Sequence, residues 1–238
     1  MPPNHKEKRL NSYFQTIAPH YDLVNNLVSF GLHHYWRRFA VEKAHLHPGA
    51  KVLDVCCGTG QITRALAQKV GPQGFVVGLD LSPSMLKIAA KNLRDLDNPQ
   101  RVQLLVGNAM DLPFPDNSFD RVVIGYGLRN VADMRRALHE LYRVLKPEGR
   151  AVSLELGKPR HRLLNKLYAL YSAIFPPLVG LLITGEQEPY RYLHRSVQAY
   201  PNPAEVSATF EKIGFTAVKC YELSWGIATV HTAEKPPR

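Results

Sequence analysis

Two glycines, Gly58 and Gly60, follow an apolar run that contains one carboxylate, Asp54, and they open a helix-like segment that begins near Gln61. A glycine turn at the carboxyl end of a buried strand lets the backbone approach a ligand closely, and the free N–H groups of the helix that follows attract an anion. A dinucleotide fingerprint would place a third glycine at position 63, where this chain has Thr63. Asp80 closes the run Phe75 to Asp80, a position from which a carboxylate can accept both hydroxyls of a ribose. Asn108, Ala109 and Met110 follow the next run and offer a polar side chain, a backbone amide and an apolar face to an adenine. Asp54 inside a buried strand is costly unless its charge meets a cation. S-adenosylmethionine carries an ammonium, a carboxylate and a sulfonium but no pyrophosphate. The acidic residue beside the turn therefore suits it better than it suits a nicotinamide dinucleotide.

Cys56 and Cys57 adjoin the turn, but no histidine stands at a partner spacing, so they read as small apolar fillers rather than nucleophiles. The ten histidines show no paired ligand spacing beyond the adjacent His33 and His34, and no metal is expected.

The elements that must position these residues alternate as strand and helix from Lys51 onward, the pattern of a parallel sheet. Lys51 to Val55, Phe75 to Asp80, the run from Arg101 to Gly107, and Phe119 to Tyr126 read as strands. The helix after the glycine turn should stop at Gly71 and Pro72. Ser82 should cap the next helix, with Pro83 in its first turn. Asp133 should cap a helix closed by Lys146, Pro147 and Gly149, and a fifth strand, Arg150 to Leu156, follows. Two more strands, joined through Ser224, Trp225 and Gly226, complete the chain. Leu163 to Ile183 is apolar enough for a membrane span, but Asn165, Lys166 and the Pro176-Pro177 pair interrupt it, so an amphipathic helix followed by a lid or a surface-contacting segment fits better, with an ordinary core helix as the other reading.

The chain of 238 residues, 45% hydrophobic and 21% charged, has the composition of a folded globular domain and excludes disordered and collagen-like classes. Three cysteines, two of them adjacent, do not make a disulfide framework and point to a reducing cytosol. The basic start lacks an apolar stretch, so no signal peptide is expected. A net charge of +10 calls for an anionic partner, and charge alone does not choose between nucleic acid, an acidic membrane and a small anion.

The set Asp54, Gly58, Thr59, Gly60, Asp80, Asn108 and Ala109 resembles class I S-adenosylmethionine-dependent methyltransferases. Ala18 to His33 with Trp36-Arg37-Arg38, then Gly125-Tyr126-Gly127-Leu128-Arg129-Asn130-Val131, then Tyr142 to Pro147 with Leu154 to Pro159, resemble the C-methyltransferases of ubiquinone and menaquinone biosynthesis. The likeness extends through residues 196–201 and Gly226 to His231, with departures at Leu156, Gly157, Tyr200 and Pro203. It implies an α/β Rossmann-like methyltransferase with a mostly parallel seven-stranded sheet, helices on both faces and an N-terminal helical lid. Residues 1–45 would form the lid, 46–238 the methyltransferase domain, and 160–200 a helical insertion facing substrate or membrane.

The implied reaction methylates a ring carbon of a prenylated quinol, with demethylmenaquinol favoured over the ubiquinone precursor. Asp54, Gly58, Thr59, Gly60, Asp80, Asn108, Ala109 and Gly125 would hold S-adenosylmethionine. A ring carbon attacks only if a neighbouring hydroxyl gives up its proton, and Arg129 is the expected stabiliser of that anion, with a plain salt bridge as its other reading. His20, Tyr21, Asp22 and Tyr126 are the candidates for removing the ring proton. Nucleic acid is not an expected partner, because the basic residues at 6–9, 37–38, 135–136 and 158–162 do not interleave with stacking aromatics. A basic surface against anionic lipid explains them as well, which places the protein in the cytoplasm at the inner face of the cell membrane and leaves room for a homodimer.

Overall fold

A computed structural model describes residues 5–237. Seven strands, β1 (Lys51–Val55), β2 (Phe75–Asp80), β3 (Val102–Val106), β4 (Phe119–Gly125), β5 (Leu145–Leu156), β6 (Thr216–Leu223) and β7 (Ala228–Glu234), form one sheet in the order β3-β2-β1-β4-β5-β7-β6. β1 to β5 pair in parallel, and β7 inserts antiparallel between β5 and β6. Chain order reverses between β1 and β4, and in open α/β sheets the carboxyl ends of strands at such a reversal form the ligand crevice. The central strands read as apolar runs because helices cover both faces.

On one face α3 (Leu32–Lys43) and α4 (Gln61–Val70) bury Trp36, Ala40, Ile62 and Leu66 against the sheet. On the other, α6 (Met134–Val144) and α9 (Pro203–Ile213) bury Leu138, Leu141 and Phe210. Above the crevice α1 (His5–Ile17) and α2 (Tyr21–Val28) join α5 (Pro83–Asn92), α7 (Arg162–Thr184) and α8 (Glu188–Ala199) around Ile17, Val24, Met85, Val179 and Tyr190. The N-terminal helices are thus packed onto the sheet's functional edge.

Three local expectations are corrected. The helix capped by Asp133, whose side chain accepts from Arg136 N, ends at Val144 rather than at Lys146 to Gly149, which already lie within β5. Phe119 pairs with Leu145 and Arg121 with Arg150, so the intervening residues bulge outward, where Pro147 has no ladder hydrogen bond to make. Ser82 stands at the start of α5, but its hydroxyl makes no cap bond; its backbone N–H donates to Asp80 Oδ1 at 2.8 Å instead. Finally, α7 runs unbroken through Pro176 and Pro177, held by packing against α2 and α8. It is not a core helix either, for Leu163, Leu167, Leu170, Ile174, Leu178, Leu181 and Leu182 are all exposed.

Candidate functional site

The turns after β1 and β4 press together at the chain reversal. Cys56 and Tyr126, the first residue beyond each strand, both take left-handed backbone conformations, with φ of 58°. A Cβ on Gly127 would fall 2.7 Å from Cys56 Sγ, so only glycine lets the two turns meet this closely. Gly60, at φ 80°, starts α4 and lies against Ala89 of α5.

A cleft of about 100 Å³ lies over this edge. Its floor is Gly58, Asp80, Asn108, Ala109 and Gly125, and its roof is Glu7, Asn11 and Phe14 of α1 with Tyr21 of α2. Asp80 is held by backbone donors that include Gly58 N on Oδ2 at 2.9 Å and Ser82 N on Oδ1 at 2.8 Å. Burial still raises its pKa against those bonds. The carboxylate keeps acceptor capacity for a ligand hydroxyl. Asn108 Oδ1 accepts from Met110 N at 2.9 Å, and its amide donates to the buried Glu7 Oε1 at 3.1 Å. Asp54 accepts from Thr63 Oγ1 at 2.6 Å, while its Oδ1 is buried with no partner among the described residues. An orphaned carboxylate oxygen at a cavity wall is the mark of a site that completes itself with a cationic group. The floor therefore fits the nucleoside part of S-adenosylmethionine, with acceptors for a ribose and a polar and apolar pair for a base, while Asp54, which borders the small recess beside Gly58 and not the cleft itself, offers a carboxylate to an ammonium.

Beside the cleft, and sharing Tyr21 and Tyr126 with it, lies a larger apolar cavity of about 340 Å³. Its walls include Trp36, Tyr168, Tyr171 and Leu167, and its polar groups include His33, Arg37, Arg129 and His194. Arg37 also borders a small recess with Asp54 and Gly58, so it stands between the two spaces. Its guanidinium lies 5.9 Å from the centre of the Tyr126 ring.

The sequence-derived candidates separate here. Tyr21 and Tyr126 line both spaces. Burial pushes the Tyr126 phenol far above its ordinary value, so it stays protonated, a donor rather than a base. His20 is exposed and lines neither space. Asp22 accepts from Thr59 Oγ1 at 2.9 Å and Gln61 Nε2 at 3.1 Å, which pins α2 to the glycine turn. Thr59 is buried with its hydroxyl on Asp22, and Gly60 faces α5, so neither borders the main cleft. Met110 turns into the core, where its sulfur accepts from Asp133 N.

Arg129 does line the apolar cavity, but its Nη1 is bound to Glu155 Oε1 at 2.5 Å and to Tyr126 O at 2.6 Å, the salt bridge that was its other reading. Its Nε is buried without a partner. Lys6 donates to Val131 O at 2.7 Å, which takes it out of any surface patch. Burial, with nearby carboxylates, raises both the Cys56 and Cys57 thiols well above their ordinary value, so neither is a nucleophile.

The profile of the ubiE/COQ5 methyltransferase family matches residues 3–235. The chain belongs to that family. It is 41% identical to the ubiquinone/menaquinone biosynthesis C-methyltransferase UbiE of Pseudomonas savastanoi pv. phaseolicola, over 99% of this chain and 92% of that one. It is also 41% identical to the demethylmenaquinone methyltransferase of Anoxybacillus flavithermus, over 97% of each. Among solved structures it resembles the [4+2]-cyclase SpnF, with a TM-score of 0.71 at 19% identity over 100% of this chain and 98% of that one. An S-adenosylmethionine-dependent methyltransferase from Aquifex aeolicus superposes with a TM-score of 0.60 at 20% identity, over 83% of this chain and 88% of that one. The protein is thus an S-adenosylmethionine-dependent C-methyltransferase of quinone biosynthesis, on the Rossmann-like α/β fold.

Sequence reasoning missed Glu7, His33 and Glu155 as site residues. The i, i+4 spacing of Ser29, His33 and Arg37 was legible; the pairing of Glu7 with Asn108, 101 residues apart, was not.

The Asp22 contacts carry a prediction. Asp22→Ala should weaken S-adenosylhomocysteine binding about tenfold by releasing α2 from the turn, since a hydrogen bond to a charged group contributes roughly 1.5–3 kcal/mol. Calorimetry against the unsubstituted enzyme reads this directly, and an unchanged affinity would show that α2 does not brace the cleft.

Proposed function

We propose that this enzyme methylates a ring carbon of a prenylated naphthoquinol, converting demethylmenaquinol to menaquinol. The observation that carries the reading is the apolar cavity of about 340 Å³ abutting the cofactor cleft at Tyr21 and Tyr126. Aromatic walls from Trp36, Tyr168 and Tyr171 suit a fused two-ring system, and the cavity is bordered by α2 and α7, whose exposed leucines would accompany a prenyl tail. S-adenosylmethionine supplies an electrophilic methyl on a sulfonium; the ring's electron pair forms the new C–C bond, the C–S bond breaks, and the ring carbon then loses its proton. Asp54, Asp80, Asn108, Ala109, Gly58 and Gly125 hold the donor in this reading, and the buried Glu7 carboxylate adds an acceptor at the adenine end. Arg37 and Arg129 line the cavity that takes the ring in this reading, and their positive charge there favours the phenolate. Closure under α1 and α2 excludes water.

The exposed stripe of α7, together with Phe30 and Trp225, which are 72% and 80% exposed, rests on the membrane that carries the substrate in this reading. Phe30 stacks on Phe175 at 5.8 Å, which places the turn between α2 and α3 and the middle of α7 at one rim. Arg162 and Lys166, both exposed on α7, favour an anionic lipid surface.

The relatives' names include ubiquinone as well as menaquinone, so a benzoquinol is the second reading. Methyl-labelled S-adenosylmethionine offered with equal amounts of chemically reduced demethylmenaquinol and of a ubiquinol precursor separates them. Label should appear on the naphthoquinol ring at least tenfold faster; equal or reversed partition would overturn the menaquinone assignment.

A further inference from the structure

His33, 4% exposed in the first turn of α3, has one ring nitrogen already committed. Its Nδ1 lies 2.6 Å from Ser29 Oγ, and that same hydroxyl donates to Asn25 O at 2.7 Å. A carbonyl can only accept, so the single hydroxyl hydrogen is on Asn25, and Ser29 Oγ is left as an acceptor toward the imidazole. The Nδ1 contact is then a hydrogen bond only when Nδ1 carries the ring's proton. Nε2 is left as a bare lone pair in a residue that lines the apolar cavity.

The surroundings keep the ring neutral. Burial, followed by the charges of Arg37 and of His34, whose ring centre is 3.9 Å away, lowers the His33 pKa to about 3. One turn further on, Arg37 brings a guanidinium, a donor and never an acceptor, to the same cavity. The wall thus presents an obligate acceptor and an obligate donor on one helix face.

We propose that His33 is the residue by which the enzyme selects the reduced ring and rejects the oxidised one. The inference rests on the reading of the cavity as a quinol site. A diol hydroxyl can donate to His33 Nε2 while it accepts from Arg37. A dione carbonyl has no hydrogen to give, so it would meet Nε2 lone pair to lone pair and bury both without a partner. The selection serves the chemistry. Only the electron-rich diol can lend a ring electron pair to a sulfonium; the dione is electron-poor and would occupy the cavity without reacting.

The probe is a naphthoquinone with one short prenyl tail, used anaerobically in its oxidised and dithionite-reduced forms, with S-adenosylhomocysteine present. Quenching of Trp36 fluorescence reports binding, since that indole is in the cavity wall. The unsubstituted enzyme should bind the reduced form about tenfold to a hundredfold more tightly, because the dione leaves a buried polar group unpaired. His33→Gln supplies an amide donor, so dione affinity should rise until the two forms bind within about threefold. His33→Leu should reach a similar ratio by losing diol affinity alone. Ser29→Ala leaves the imidazole in place but frees its tautomer, and should erode the preference severalfold with the fold intact. A preference that persists in all three variants, with melting temperature and S-adenosylhomocysteine affinity retained, would overturn the assignment. Methyl transfer to the reduced probe by the unsubstituted enzyme is scored separately. Its absence would sink the quinol reading and the selection with it, whereas transfer with an unaltered preference in the variants sinks the role of His33 alone.

Discussion

Arg129→Ala is expected to lower the melting temperature by roughly 6–20 °C, because it strands Glu155 as an unpaired buried charge. Breaking a buried pair from one side costs about 3–5 kcal/mol, and in a chain of this size each kcal/mol moves the transition by roughly 2–4 °C. The arginine and glutamate side chains are 8% and 1% exposed. Glu155 also accepts from the backbone N–H groups of Arg129, at 3.1 Å, and of Leu156, at 2.8 Å, so one carboxylate ties the turn after β4 to the end of β5. Removing the guanidinium leaves those bonds on a carboxylate that has lost its counter-charge. Thermal unfolding followed by circular dichroism reads the effect, and a shift under about 3 °C would show that the pair is not what holds these strand ends together. Affinity for S-adenosylhomocysteine should change little, since Arg129 borders the apolar cavity and not the cofactor cleft. Turnover, measured well below the lowered transition, should still fall strongly, because Arg129 is one of the two arginines that line the apolar cavity and its positive charge is lost there. Arg129→Lys should rescue neither property fully. An ammonium has no planar fork with which to serve Glu155, the Tyr126 carbonyl and a ligand together.

The double role of Arg129 shows where sequence reading succeeds and where it stops. Its place after β4 was legible because strand ends in a parallel sheet are marked by apolar runs and turn residues a few positions apart. Lys51 to Val55, the turn at Gly58 and Gly60 and the carboxylate at Asp80 are local in the same sense, and the structure sets all of them at one edge. Glu155 is 26 residues from Arg129, and nothing within either segment announces the other. Contacts that depend on such distant pairings are not visible in either segment alone. Asp22 reads as a candidate base or a capping or pairing group until Thr59 and Gln61 arrive beside it, and Lys6 reads as surface charge until Val131 does. The course of α7 was misread for another reason. A proline pair argues for a break when only the local helix is weighed, yet packing against α2 and α8 outweighs that cost, and the helix continues with its leucines outward.

Asp54 yields a pH dependence of definite sign. Burial raises its carboxyl, the Thr63 hydroxyl bond opposes this, the charge of Asp80 adds to the rise and that of Arg37 subtracts, and the result is a pKa of about 7 against 3.8 for an ordinary aspartate. Between those values the folded chain holds a proton that the unfolded chain has released. The contribution of this group to stability therefore falls as pH rises from about 4 to 7, by at most roughly 4 kcal/mol at 1.36 kcal/mol per unit. Subtracting the stability curve of Asp54→Asn isolates the effect from other titrations, and a flat difference across that window would contradict the assignment. The cofactor should reverse the balance. An ammonium placed against the orphaned Oδ1 favours the ionised form, so binding drives the proton off, and affinity should climb with pH up to about 7 and level above it. Calorimetry with S-adenosylhomocysteine in two buffers of different ionisation enthalpy should register release of most of a proton near pH 6. Asp54→Asn should abolish the release and weaken binding at pH 8 by more than tenfold, because a neutral amide does not replace the charge opposite the ammonium. Equal proton release by Asp54→Asn and the unsubstituted enzyme would place the ammonium elsewhere in the cleft and leave the buried carboxylate without a ligand.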